Sequence, residues 1–130
     1  MSYYFNAILS EKSFDEAIEQ VTVELKKEGF GVLNEIDITT TLKNKLDVNF
    51  KKYKILGACN PNFAYQALQA EDKIGVFLPC NVVVEENDKG EVEVSVVDPV
   101  SSMISVQNDS LISLATEVQQ KLKRVVANLN

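Results

Sequence analysis

The two cysteines of this 130-residue chain each follow an apolar run, and each is followed by asparagine. Cys59-Asn60-Pro61 comes after the apolar run that begins at Tyr53, and Cys80-Asn81 comes after Phe77-Leu78-Pro79. Elsewhere the apolar runs carry no polar group with comparable chemistry. The two Cys-Asn pairs therefore form the candidate site.

The segment Cys59-Asn60-Pro61 is typical of a strand that runs directly into a helix. Asn60 is a preferred N-cap residue, and Pro61 suits the first helical position because it has no N–H to satisfy. The free backbone N–H groups at a helix start hold anions or carboxylates, and the helix dipole favours the thiolate form of a neighbouring cysteine. The turn is therefore predicted to bind a small polar or anionic ligand or to carry a reactive thiol.

The binding interpretation uses hydrogen-bonding groups from both Cys-Asn pairs and from the end of a later strand. Its candidate ligand-binding residues are Cys59, Asn60, Asn62, Cys80, Asn81 and Asp98. The alternative is a thiol-based redox or sulfur-handling protein, with Cys59 as the nucleophile and Cys80 as its resolving partner. A third interpretation is a structural or interaction protein, in which the cysteines are apolar filler and Asn60 and Asp98 only cap helices. The residues alone do not decide between binding and catalysis.

Composition excludes several other classes of function. The chain has no histidine, so Cys-His and Ser-His catalytic pairs are impossible within it. Two cysteines without histidine make a poor zinc site, and we expect no metal and no cofactor. The net charge of −6 argues against nucleic-acid binding, although lysines cluster in residues 43–54 and 121–124. The absence of a signal peptide and of an apolar run of about 20 residues predicts a cytoplasmic protein with reduced thiols and no membrane contact.

Hydrophobic periodicity predicts one α+β domain over residues 1–130. Strands are expected at 3–9, 30–38, 53–59, 75–86 and 91–98, in the order β-α-β-α-β-α-β-β-α. This order favours a two-layer sandwich in which helices cover a mixed β-sheet. If the third and fourth strands are parallel neighbours, Cys59 and Cys80 lie close together. Pro79 predicts a bulge or a sheet edge. The uncovered face of such a sheet is a natural dimer surface.

Several of these segments together resemble a known family. They are Ile55-Leu56-Gly57-Ala58-Cys59-Asn60-Pro61, Ala64, Ala67-Leu68, Leu78-Pro79-Cys80-Asn81-Val82-Val83-Val84, and Asp98-Pro99 with Met103. The combination resembles the bacterial and archaeal family numbered 302 among domains of unknown function. The resemblance covers nearly the whole chain and implies a compact two-layer α+β domain that forms a homodimer. It implies no particular reaction.

Overall fold

The computed structural model describes residues 2–130, and within them the strands and helices follow the predicted order, with one additional short helix at Pro99–Met103 before the last helix. The strands are β1 (Tyr4–Leu9), β2 (Gly31–Asp37), β3 (Tyr53–Cys59), β4 (Cys80–Glu86) and β5 (Val92–Val97). The α-helices are α1 (Phe14–Lys27), α2 (Ile38–Leu46), α3 (Pro61–Ala70), α4 (Pro99–Met103) and α5 (Asp109–Ala127). Two 3-10 helices, Asp72–Phe77 and Ile104–Val106, complete the connections.

The strands form one sheet in the order β1-β5-β4-β3-β2, and every neighbouring pair is antiparallel. The predicted α+β sandwich is confirmed, but the prediction of a mixed sheet is wrong. A helix between two strands indicates a parallel crossover only when the two strands lie side by side in the same direction. Here α1 connects strands at opposite edges of the sheet, while α2 and α3 lie in connections that reverse the chain between antiparallel neighbours.

Helices α1 and α5 cover one face of the sheet and form the main core with it. A capping box at Ser13 starts α1: the Ser13 hydroxyl accepts from the Glu16 N–H at 3.1 Å, and the Glu16 carboxylate accepts from the Ser13 N–H at 3.0 Å. The inward residues of the sheet and the helices are fully buried. They include Leu56, Ala58, Val82, Val84, Val94, Val96, Val21, Leu25, Leu122 and Val125. A second, smaller cluster lies where α3, α4 and α5 meet.

The other face of the sheet is open, because side chains of the alternate parity point away from α1 and α5. On β1, β5 and β4 this open face consists of Tyr4, Asn6, Ile8, Asn81, Val83, Glu85, Glu93, Ser95 and Val97. A shallow groove of about 370 Å³ runs across it. This surface is the part of the sheet that the helices of the same chain leave uncovered.

The predicted fourth strand begins later than expected. Residues 72–77 form a 3-10 helix, the Leu78–Pro79 peptide bond is cis, and β4 starts at Cys80. Proline cannot donate a hydrogen bond to the sheet ladder, so the strand starts immediately after it. The 3-10 helix therefore packs against α3, and the two residues that follow it before β4, Leu78 and Pro79, belong to the candidate site described below.

Candidate functional site

The turn between β3 and α3 has the geometry that the sequence predicts. Cys59 is the last residue of β3, Asn60 occupies the N-cap position, and Pro61 is the first residue of α3. The Asn60 side chain does not cap the helix, however. Its Nδ2 donates to the Glu28 carbonyl oxygen at 3.3 Å and so joins the turn to the end of α1. The backbone N–H groups in the first turn of α3 are consequently left without a side-chain cap.

Behind this turn lies a cavity of about 40 Å³ between the sheet and helices α3, α4 and α5. Its walls are almost entirely apolar. They are formed by Phe30, Ala58, Cys59, Asn60, Phe63, Ala64, Ala67, Leu78, Pro79, Cys80, Pro99, Met103, Leu111, Leu114, Ala115 and Val118. A water molecule needs roughly 10–15 Å³ on the same measure, so the cavity has room for a few heavy atoms. It lies at the junction of the two buried clusters, where α3 leaves the end of the sheet.

Both cysteines line this cavity, but their environments differ. Cys80 is buried and pairs across the β3–β4 ladder with Ala58, whereas Cys59 is half-buried and lies one residue beyond that pair. Because side chains alternate along a strand, Cys59 has the parity opposite to that of Ala58 and Cys80, and the two cysteine side chains leave the sheet on opposite faces. Burial raises the pKa of the Cys80 thiol to about 11, and the neighbouring Cys59 adds to the shift. At neutral pH Cys80 is therefore a protonated, weakly reactive thiol.

Asn62 and Asn81, which the binding interpretation grouped with the thiols, lie outside the cavity wall. Asn62 is exposed in the first turn of α3, where its carbonyl accepts from Gln66. Asn81 is exposed on the open face of the sheet and pairs with Gly57 of β3. Neither asparagine side chain forms part of the wall behind the turn.

Asp98 is occupied as a helix cap. Its carboxylate accepts from the N–H groups of Val100 at 3.0 Å and Ser101 at 3.4 Å at the start of α4. The same Oδ1 accepts from the Gln119 side chain of α5 at 3.0 Å. Asp98 therefore fixes α4 against α5 and lies outside the cavity wall. Of the six predicted ligand-binding residues, the structure brings together Cys59, Asn60 and Cys80.

The part of the site that sequence reasoning missed comes from α4 and α5. Met103, Leu111, Ala115 and Val118 form one side of the cavity. In the sequence, the residues of α5 belong to an apolar stripe at helical spacing, which predicts a core face and nothing more. The only sequence signal for this part of the site is the presence of small residues on two helices that face each other. These residues are Ala115 of α5 and Ala64 and Ala67 of α3, and they indicate a space between the helices.

A positively charged group lies near the start of α3. The Lys121 ammonium of α5 is 5.8 Å from the ring centroid of Phe63, which lines the cavity. Arg124, one turn further along α5, donates three hydrogen bonds to the Glu28 carboxylate, two from Nε and one from Nη2, and this pairing lowers the pKa of Glu28. Glu28 is thereby neutralised by its partner, while the charge of Lys121 adds to the positive end of the α3 dipole.

Comparison with known proteins places this arrangement in a family. A family model described as a domain of unknown function, DUF302, matches residues 6–129. The chain belongs to the DUF302 family. This finding confirms the resemblance carried by the Cys-Asn segments. The DUF302 domain is also similar to the crystal structure of an uncharacterized conserved DUF302 protein from Bacillus stearothermophilus, with 27% sequence identity, a TM-score of 0.92 and 100% of both chains covered. No curated protein matches it.

Two further observations concern this DUF302 domain. Within residues 2–130, no group of three or more carboxylate, thiol or imidazole side chains comes together in a way that could hold a metal ion. None of the helices in the same residues has the length and apolar character needed to cross a membrane.

Proposed function

We propose that this DUF302 domain is a binding module that holds a small ligand at the Cys59-Asn60-Pro61 turn. The apolar end of the ligand enters the cavity, and its polar or anionic end lies at the start of α3. The observation that carries the proposal is the cavity of about 40 Å³ directly behind a helix start that has no side-chain cap.

The size and lining of the cavity support the apolar half of this ligand. Protein interiors are close-packed, and a void of this size forfeits van der Waals contacts around its wall. The smallest side chains of the wall, Ala58, Ala64, Ala67 and Ala115, come from β3, α3 and α5. A group of a few carbon atoms would restore the missing contacts without displacing any backbone.

The start of α3 supports the polar half. Asn62 and Phe63 present backbone N–H groups in a first helical turn where the Asn60 side chain is engaged elsewhere. Such groups bind carboxylate oxygens, and the dipole of the helix favours negative charge there. Lys121 contributes a nearby positive charge. A short-chain carboxylate combines both halves in one molecule.

Thiol-based redox or sulfur-handling chemistry at Cys59 is the second candidate. The observation that favours it is that Cys59 is half-buried and contributes to the wall of the same cavity, next to the turn at which the ligand is proposed to bind. Cys80 suits the role of resolving partner less well because burial keeps its thiol protonated.

The binding proposal is tested with xenon, n-butyrate and n-butanol as probes, followed by amide NMR and thermal unfolding of the intact chain. We expect xenon and butyrate to perturb residues of the cavity wall, and butyrate alone to shift the amide resonances of Asn62 and Phe63. Ala64→Leu, which fills the cavity, should abolish these effects. The same substitution at exposed Ala127 is the matched control and should preserve them.

Two further variants separate the candidates. Cys59→Ser should leave butyrate binding nearly unchanged if the site is a binding module, while Asn60→Ala should weaken it by releasing the turn from Glu28. Loss of butyrate binding in Cys59→Ser, together with rapid alkylation of native Cys59 by iodoacetamide, would favour thiol chemistry. If none of the three probes perturbs the cavity wall or the start of α3, the binding proposal is wrong.

A further inference from the structure

The connection from β2 to β3 contains an unusual helix. Helix α2 has no buried residue, although it is amphipathic. With the six residues that follow it, it forms what we call the α2 arm, residues 38–52. In this arm Leu46 is 66% exposed, Val48 43% and Phe50 42%. Helices shorter than about 12 residues are marginal in water unless an apolar face is buried. The arm therefore presents a partly exposed apolar surface, of which Phe50 packs against Tyr53 of its own chain and Leu46 is the most exposed part.

The α2 arm is also a basic segment of an acidic protein, with a net charge of +3. It contains four lysines, Lys43, Lys45, Lys51 and Lys52, against the single aspartate Asp47, while the whole chain has a net charge of −6. The rest of the protein surface is acidic, so the acidic surface of a second copy attracts the basic arm. Three of these lysines pair with carboxylates of their own chain, Lys43 with Asp47, Lys51 with Glu85 and Lys52 with Glu86, whereas Lys45 forms no ion pair within residues 2–130.

The open face of the sheet has the complementary character. On β1, β5 and β4 its outward residues are apolar, polar or acidic, and none is lysine or arginine. Glu85 and Glu93 lie directly opposite each other in the β4–β5 register, where like charges are destabilising. Glu85 is paired with Lys51 at 2.7 Å. Glu93 is held by the Asn6 amide at 2.8 Å, and within residues 2–130 it forms no ion pair.

We propose that two copies of this chain associate through their open faces, each laying its α2 arm over the β1–β5 side of the other. The strand order makes this reciprocal. β4 is the central strand, β1 lies at one edge, and β2, from which the arm leaves, lies at the other. A two-fold axis parallel to β4 places the β2 side of each copy over the β1 side of its partner. Lys45 of each arm, which forms no ion pair in the described part of its own chain, then approaches Glu93 of the other copy.

The area of this surface agrees with what a stable dimer needs. Five strands about 4.8 Å apart and about 20 Å long give a flat footprint on the order of 500 Å². The α2 arm and Tyr3, which precedes β1 and lines the groove, add to this footprint. The total approaches the roughly 800 Å² per partner of a standard interface. The inference is independent of the ligand proposed above, because the cavity lies on the other side of the sheet.

The test is sedimentation velocity and light scattering on the intact chain at concentrations up to about 0.5 mM. We expect a dimer whose dissociation constant rises with salt concentration, as an interface between basic and acidic surfaces requires. Val83→Arg, at the centre of the open face, should weaken dimerisation by at least about 100-fold. The matched control is Val23→Arg on α1, where the valine is 53% exposed, and it should leave the dimer intact.

A charge exchange tests the orientation of the two copies. Glu93→Lys and Lys45→Glu should each weaken dimerisation about 10-fold, and the double variant should recover it. Phe50→Ser, in the arm and outside the sheet, gives an independent probe if Val83→Arg does not fold by circular dichroism. A chain that is monomeric at every concentration overturns the proposal. So does a dimer that Val83→Arg and Phe50→Ser leave unchanged, or a double charge variant that is weaker than both single ones.

Discussion

Gly57 of β3 lies where no larger residue fits, and replacing it tests the packing around the candidate site. A Cβ atom at this position would overlap the Asn34 side-chain oxygen and would lie 2.8 Å from Cγ of Pro79. Asn34 is exposed and can swing away. The Pro79 ring is fixed to the backbone, and it would have to retreat from 2.8 Å to about 3.4 Å to reach ordinary contact.

We therefore expect Gly57→Ala to lower the free energy of unfolding by about 1–3 kcal/mol, the usual cost of overpacking a well-packed region. At about 2.1 cal/mol/K of unfolding entropy per residue, 130 residues give ~0.27 kcal/mol/K. The expected decrease in Tm is therefore about 4–11 °C. Since Pro79 lines the cavity, its displacement should also weaken the response to xenon.

The assay is urea unfolding followed by circular dichroism, with Gly31→Ala as the matched control. Gly31 is also a strand glycine, but a Cβ atom there meets nothing within 4 Å. Gly31→Ala should be neutral or slightly stabilising, because alanine restricts the unfolded chain more than glycine does. Equal stability of Gly57→Ala and Gly31→Ala would refute this reasoning. A double variant with Asn34→Ala should recover only part of the loss, because the contact with Pro79 persists.

The remaining predictions concern titration and capping. Cys80 has a folded-state pKa of about 11 against an ordinary value near 9.0. The free energy of unfolding should therefore decrease by on the order of 2 kcal/mol as pH rises through this range. Urea unfolding measured at several pH values should show a smaller decrease in Cys80→Ala. Asp98→Ala should cost about 1–2 kcal/mol in the same assay, because it removes the cap of α4 and the acceptor of Gln119; an unchanged midpoint would contradict that role. The hydrogen bonds from Arg124 lower the pKa of Glu28 below 4.5, so their contribution should be present above that pH and lost as pH falls through the lowered pKa. Glu28→Gln should therefore be less stable than the wild type at neutral pH, with a smaller difference in acid, and equal differences at both pH values would argue against the pairing.

Local sequence signals predicted the elements of this fold well, because they act over a few residues. The strand-to-helix turn at Asn60 and Pro61 is found where predicted, and the Ser13-x-x-Glu16 spacing that forms a capping box in the structure is a signal of the same local kind. The direction of the strands was not predictable in this way. Strand direction depends on whether the connecting helix packs on the sheet. Helix α2 has the amphipathic pattern of a core helix, but none of its residues is buried.

The candidate site was predictable only where it lies within one stretch of chain. Cys59 and Asn60 are neighbours in sequence, and Cys80 joins them through the β3–β4 ladder. The side chains of Asn81 and Cys80 do not lie together in the structure, because consecutive strand residues point to opposite faces of the sheet. The cavity itself arises from how α3 and α5 fit together, and no periodicity in either helix alone reveals a void between them.

The pairing of β1 with β5 has a consequence for how the chain is made. Tyr4 lies opposite Val97, so the first strand to leave the ribosome has its partner near the other end of the chain. Until residues 92–97 have been synthesised, β1 has no place in the sheet, whereas β3, β4 and β5 can pair as they emerge. Contacts of such large sequence separation slow folding, because a long loop must be closed before they form. Strand β1 can therefore join the sheet only after β5 has been synthesised, and the sheet is completed only when translation of the domain is nearly finished.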